Sequence, residues 1–233
     1  MNKSSIILAM FCVLLVQVKL EAQYAFRHLN KMDGLSQNSV FSIAQDKQGF
    51  MWFGTRDGLN RYDGYKMVVY RQKESDSTAI AGNDIRCLYY DDQKEQLWIG
   101  TSTGLSLYRS AQDDFINFLP GEQPGALLGG SIRTILCDRQ GRLWVGTNRG
   151  LHLYNDEEMT FRVIRGERGA PGEISSHNIR VLFEDLSGQL WVGTNNGLNV
   201  WDPTLDGFRM YYHDPADSSS LPGKSIHDIK RCT

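Results

Sequence analysis

The chain has 233 residues, 41% hydrophobic and 22% charged, with a formal net charge of -2. That near-neutral balance creates no field that would gather nucleic acid or an anionic membrane surface, so a DNA-binding role is not expected. An aromatic share of 11% and 23 glycines favour an all-β chain rich in turns.

Residues 1–22 differ from the rest. Lys3 gives a short positive start, Ile6 to Val16 form an apolar run, and the small residue Ala22 follows. This is the pattern of a secretory signal peptide, too short to span a bilayer as a stable helix. Cleavage after Ala22 leaves residues 23–233 as an exported chain, and a periplasmic location is expected. Cys12 lies in the apolar run without small residues just before it, so no lipid anchor is expected. Beyond the leader, no apolar stretch approaches membrane length. Cys87, Cys137 and Cys232 remain, an odd number that cannot pair fully within one chain. Cys87 and Cys137 fall at different repeat positions and read as small buried apolar residues rather than a disulfide, and no Cys/His spacing suggests a metal.

Residues 24–29 (YAFRHL) read as an outer strand. Four segments then align without gaps, beginning at Met51 (MWFGTRDGLNRY), Leu97 (LWIGTSTGLSLY), Leu143 (LWVGTNRGLHLY) and Leu190 (LWVGTNNGLNVW). Trp52, Trp98, Trp144 and Trp191 recur every 46 or 47 residues, which makes an internal repeat the dominant signal. Each period reads as four strands. The inner strand runs Val40–Asp46, Ile85–Asp91, Ile132–Asp138 or Ile179–Asp185. The second carries the Trp and its Gly (Gly54, Gly100, Gly146, Gly193). The third follows a two-residue turn, and the outer strand is Tyr65–Tyr70, Phe115–Leu119, Thr160–Ile164 or Phe208–Tyr212. Four antiparallel strands per 40 to 50 residues make a propeller blade.

The expected fold is therefore all-β, a partial β-propeller with four complete blades at about 38–71, 83–120, 130–165 and 177–213. An N-terminal outer strand and the start of a fifth blade at 225–233 flank them. The next Trp falls near position 238, so the sequence reads as a propeller truncated within a blade, with marginal stability where its ring cannot close. The Trp rings are expected to pack between neighbouring blades, and the glycines to serve turns and close approach.

Ligands commonly meet propellers at one axial end. There the second-to-third turns offer Arg56-Asp57, Ser102-Thr103, Asn148-Arg149 and Asn195-Asn196, polar pairs that vary inside a fixed motif and suit sugar hydroxyls. Solvated turn residues would have the same composition. Inner-strand starts add Asn38, Asn83, Asp84, His177 and Asn178. Arg86, Arg133 and Arg180 occupy one repeat position, with Phe41 and His227 at the equivalent places. Radial repetition would aim them at one end of the channel, where they could meet an anionic sugar; alternatively each pairs with an acid of the adjacent blade. The five histidines show no metal spacing, and no catalytic elbow, phosphate loop or repeated carboxylate pair is present, so neither catalytic residues nor a cofactor is expected.

The repeated core and the opening FRHLNKMDGLSQNSV from Phe26 make the chain similar to the two-component regulator propeller family. That resemblance covers residues 23 to about 229. It implies the periplasmic sensor region of Bacteroides-type hybrid two-component systems, detecting oligosaccharides. Longer relatives would dimerise and carry a membrane helix, histidine kinase, receiver and DNA-binding domain, none of which this chain contains. A stand-alone secreted glycan-binding or polysaccharide-acting propeller, or a gene fragment without function, are the other readings.

Overall fold

The computed structural model describes residues 26–166 and 172–231; the leader expected at 1–22 and Cys232 lie outside the described residues. Sixteen strands form four separate four-stranded antiparallel sheets, and no α-helix occurs among the described residues. Blade 1 comprises β1 (Val40–Gln45), β2 (Met51–Thr55), β3 (Gly58–Tyr62) and β4 (Met67–Tyr70). Blade 2 comprises β5 (Ile85–Asp91), β6 (Gln96–Thr101), β7 (Leu105–Arg109) and β8 (Asp114–Phe118). Blade 3 is β9 (Ile132–Cys137), β10 (Leu143–Thr147), β11 (Leu151–Asn155) and β12 (Thr160–Ile164). Blade 4 is β13 (Ile179–Glu184), β14 (Leu190–Thr194), β15 (Gly197–Asp202) and β16 (Gly207–Tyr211). Each blade is a meander in sequence order, and the inner strands β1, β5, β9 and β13 stand side by side around the axis.

A strand exists only through its ladder partner. Residues 26–30 and 225–231, where an outer strand and the start of a fifth blade were expected, carry no strand and join none of the four sheets. The fifth repeat nevertheless touches the fourth blade in register, through a hydrogen bond from the Ile226 N–H to the Thr194 carbonyl (2.9 Å).

The repeat motif builds the seams between blades. Trp52 meets Tyr108 of the next blade edge-on at 4.8 Å between ring centroids, Trp98 meets Tyr154 at 5.2 Å, and Trp144 meets Trp201 at 5.5 Å. These offset geometries suit aromatic quadrupoles and fill the wedge between sheets. The three hydrophobic clusters coincide with the three seams, and Trp52, Trp98 and Trp144 are among the largest fully buried side chains. In blades 1, 3 and 4 the indole N–H also donates to the aspartate that opens the first hairpin: Asp46 (2.7 Å), Asp138 (2.8 Å) and Asp185 (2.9 Å).

The glycine after the Trp leaves a notch. A Cβ on Gly54 would lie 2.7 Å from Ile85 Cγ2 of the following blade; the matching distances are 2.8 Å for Gly100 to Ile132, 2.6 Å for Gly146 to Ile179 and 2.7 Å for Gly193 to Ile226. Each seam therefore closes by an isoleucine entering a space only glycine can leave. The threonine beside it is buried in all four blades. Its Oγ1 donates to the Gly58, Gly104, Gly150 or Gly197 carbonyl three residues on, at 2.8–3.1 Å, and pins the turn. Asn60, Ser106, His152 and Asn199 share one buried position on the third strand. Each accepts a backbone N–H from the loop ahead of the inner strand: Ser36 (2.8 Å), Ala81 (3.1 Å), Leu128 (3.0 Å) and Ser175 (2.7 Å). A buried backbone donor needs such a partner.

Candidate ligand-binding face

Inner-strand ladders are interrupted at one matching place in every blade. The register shifts between Val40 and Ser42, Ile85 and Cys87, Ile132 and Thr134, and Ile179 and Val181. The unpaired residues are Phe41, Arg86, Arg133 and Arg180. A bulge removes one residue from the ladder and re-aims its side chain. Here four such residues project at the same height around the axis.

Their surroundings differ. Phe41 is 49% exposed, and the Arg56 guanidinium lies over its ring at 4.9 Å. Arg86 forms an ion pair with Asp84 of its own blade at 2.8 Å. Arg133 donates to the side-chain oxygen of Asn178 in blade 4. Arg180 donates from Nε to the Asn195 side-chain oxygen, and its terminal nitrogen lies 3.2 Å from His227 Nδ1. None of the three arginines meets an acid of the adjacent blade, so the alternative of inter-blade ion pairs does not describe these positions. Burial, then the charges of Arg180 and Arg86, lower the Arg133 pKa from its ordinary value.

The second-to-third turns lie at the same end. The Ser102 N–H donates to the Asp84 carbonyl (3.0 Å) and the Asn195 N–H to the Asn178 carbonyl (3.2 Å), tying turns to inner-strand starts. Thr103 Oγ1 donates to the Ala81 carbonyl at 2.7 Å. Asp57 is occupied by Arg71, whose Nε and Nη2 donate to its two oxygens at 3.3 and 3.1 Å. The Arg149 and Asn196 N–H groups donate to Thr147 and Thr194 at 2.9 and 3.0 Å, so their backbones are engaged in the turns. Asn148 presents a buried side-chain oxygen without a hydrogen-bond partner. A cavity of about 290 Å³ bounded by Arg149, Arg165, Gly166 and His177 opens beside these turns.

Sequence reasoning singled out the turn pairs and the arginine series. It missed the bulges that free those arginines, because a bulge leaves no mark on apolar alternation over so short a strand. It also missed the buried acceptor series at Asn60, Ser106, His152 and Asn199. A polar residue at the same repeat position in all four blades was the available signal.

Among the described residues, no helix is long and apolar enough to cross a membrane. Cys87 and Cys137 are free and half-buried, and burial pushes both thiols up to about 12.

The family described as two component regulator propeller matches residues 34–57, 79–103 and 126–149. A histidine kinase P4 of Formosa agariphila is 44% identical over 73 residues, which is 31% of this chain and 5% of that protein. The extracellular domain of a hybrid two component system from B. thetaiotaomicron superposes with a TM-score of 0.60 at 26% identity, covering 82% of this chain and 32% of the domain. Virginiamycin B lyase of Staphylococcus aureus gives a TM-score of 0.53 at 11% identity over 78% of this chain and 57% of the lyase, a likeness of fold alone. The chain thus spans about a third of the solved extracellular domain and a small part of the kinase it matches.

Proposed function

From a chain built of two-component regulator propeller repeats, we propose that it is the ligand-sensing propeller of a hybrid two-component sensor. Its place is the periplasm, its ligand an oligosaccharide, and its role binding rather than chemistry. Kinase activity and dimerisation belong to the longer protein in this reading. The observation that carries it is the convergence at one axial end of four bulge residues with the variable polar turns. The seams between blades are filled by residues the fold itself requires; this end instead exposes Phe41 and leaves the Asn148 oxygen unpartnered. An exposed aromatic face beside amide and hydroxyl groups suits a sugar, which offers one apolar face and a rim of hydroxyls.

The test is titration calorimetry of the full chain against a panel of neutral and acidic oligosaccharides. Binding by at least one class, weakened in Phe41→Ala and Asn195→Ala while the far-UV circular dichroism is unchanged, is the expected result. Binding indifferent to both substitutions would place the site elsewhere and overturn this reading.

A further inference from the structure

We propose that Arg133 and Arg180 form a seat for an anionic oxyacid group of the ligand, a carboxylate or a sulfate. The sugar nature of that ligand rests on the sensing function proposed above; the seat itself rests on the geometry of the two arginines.

Arg133 and Arg180 each occupy an inner-strand bulge on adjacent blades. A ladder position would hold such a side chain on one face of its sheet; the bulge re-aims it. The partners that fix them carry no carboxylate: Asn178 for Arg133, and Asn195 with His227 for Arg180. Among the described residues neither forms an ion pair, although twelve such pairs occur elsewhere. A guanidinium carries five N–H donors in a planar fork, and these contacts use one on Arg133 and two on Arg180. The remaining donors and the whole of both charges stay free.

Placing two uncompensated cations side by side, each half-buried, costs free energy that a fold without another use for them would avoid. The third arginine shows the alternative: Arg86, at the equivalent bulge, is paired with Asp84 within its own blade. Amide oxygens orient the other two without cancelling them. That arrangement suits a ligand anion, which a planar fork grips bidentately with charge-assisted hydrogen bonds. Burial and then the charges of Arg180 and Arg86 lower the Arg133 pKa, and an arriving anion would offset the charge part. Phe41 and Arg56 on blade 1 lie at the same height and offer the rest of the ligand an aromatic face.

The experiment compares wild type, Arg133→Gln, Arg180→Gln, the double variant and Arg86→Gln. Probes are an acidic oligosaccharide (galacturonate or sulfated galactan), a neutral oligosaccharide of equal length, and millimolar inorganic sulfate against chloride. Each single loss at Arg133 or Arg180 is expected to weaken the acidic ligand by roughly tenfold or more, the scale of one charge-assisted hydrogen bond. Arg86→Gln should change it little. Without ligand, Arg133→Gln should melt at the same temperature as wild type or higher, since it removes an uncompensated charge; a purely structural arginine would lower the melting temperature. Sulfate should raise the melting temperature of wild type more than that of the double variant.

Equal binding of acidic and neutral oligosaccharides, unaffected by the arginine variants, would overturn the anion seat and leave glycan sensing intact. Sulfate protection of wild type alone, with no oligosaccharide bound, would uphold the seat and remove the glycan. Failure of sulfate and of every acidic probe to act on wild type would overturn the seat.

Discussion

Blades 1 and 3 solve the same problem with different chemistry. In blade 1 the buried Ser36 N–H is accepted by the Asn60 amide, with Ser36 Oγ hydrogen-bonded to Thr55 at 2.8 Å. In blade 3 the Leu128 N–H is accepted by the His152 imidazole Nε2, while the Thr147 hydroxyl has two carbonyls in reach for its one proton, Leu128 at 3.0 Å and Gly150 at 3.1 Å. The Trp and Gly around them do not change. The fold thus needs one buried acceptor at this position, of whatever kind, but needs an indole and a missing Cβ at the seam.

The largest effect should come from the invariant part. Trp144→Ala empties a fully buried site and should cost about 3–5 kcal/mol in chemical denaturation. His152→Asn, which installs the residue of blades 1 and 4, should cost far less at neutral pH. Similar losses for both would break the comparison.

The two acceptors differ in titration. His152 is buried and accepts a proton donor at Nε2, so its imidazole is neutral; burial pushes its pKa down to about 4 from 6.5. The unfolded chain binds the proton more tightly than the folded one. The contribution of His152 to stability is therefore complete above pH 6.5 and is lost as pH falls towards 4. The loss across that window is up to roughly 3 kcal/mol at 1.4 kcal/mol per unit. Melting curves from pH 7 to 4 should show this slope in wild type and its flattening in His152→Asn. An unchanged slope would show that His152 titrates normally and that the two acceptors are not alike.

Removing the acceptor outright gives the next smaller effect. Asn199→Leu leaves the buried Ser175 N–H unpaired and should cost about 1–3 kcal/mol. A neutral result would mean that water serves the donor. The smallest effect concerns the indole N–H. Trp144→Phe loses the bond to Asp138 and should exceed Trp98→Phe by about 1 kcal/mol, because no such bond from Trp98 occurs: blade 2 opens on Asp91, whose side chain caps the Gln93 and Lys94 N–H groups.

Much of this architecture was legible in the sequence. The spacing of Trp52, Trp98, Trp144 and Trp191 gave the blades, and the bounds expected for the inner and outer strands of those four blades agree within two residues, whereas the outer strand expected at 24–29 is absent over the described residues 26–29. What stayed hidden depended on contacts between distant residues. Nothing local marks Ile85 as the residue that fills the Gly54 notch, or His152 as a counterpart of Asn60. The arginine series was visible as a pattern, but its partners were not: Asn178 meets Arg133 only because blades 3 and 4 adjoin, and Asn195 meets Arg180 across blade 4 only because the bulge re-aims that arginine towards its own turn.

The notch has a consequence for how such chains change over time. Isoleucine enters glycine in the same way at every seam, and Ile226 already repeats it against blade 4. A unit of one period cut out of, or copied into, the coding sequence would bring together two blades whose mating surfaces already fit. Blade number can then vary by recombination in whole repeats, with no new interface to invent.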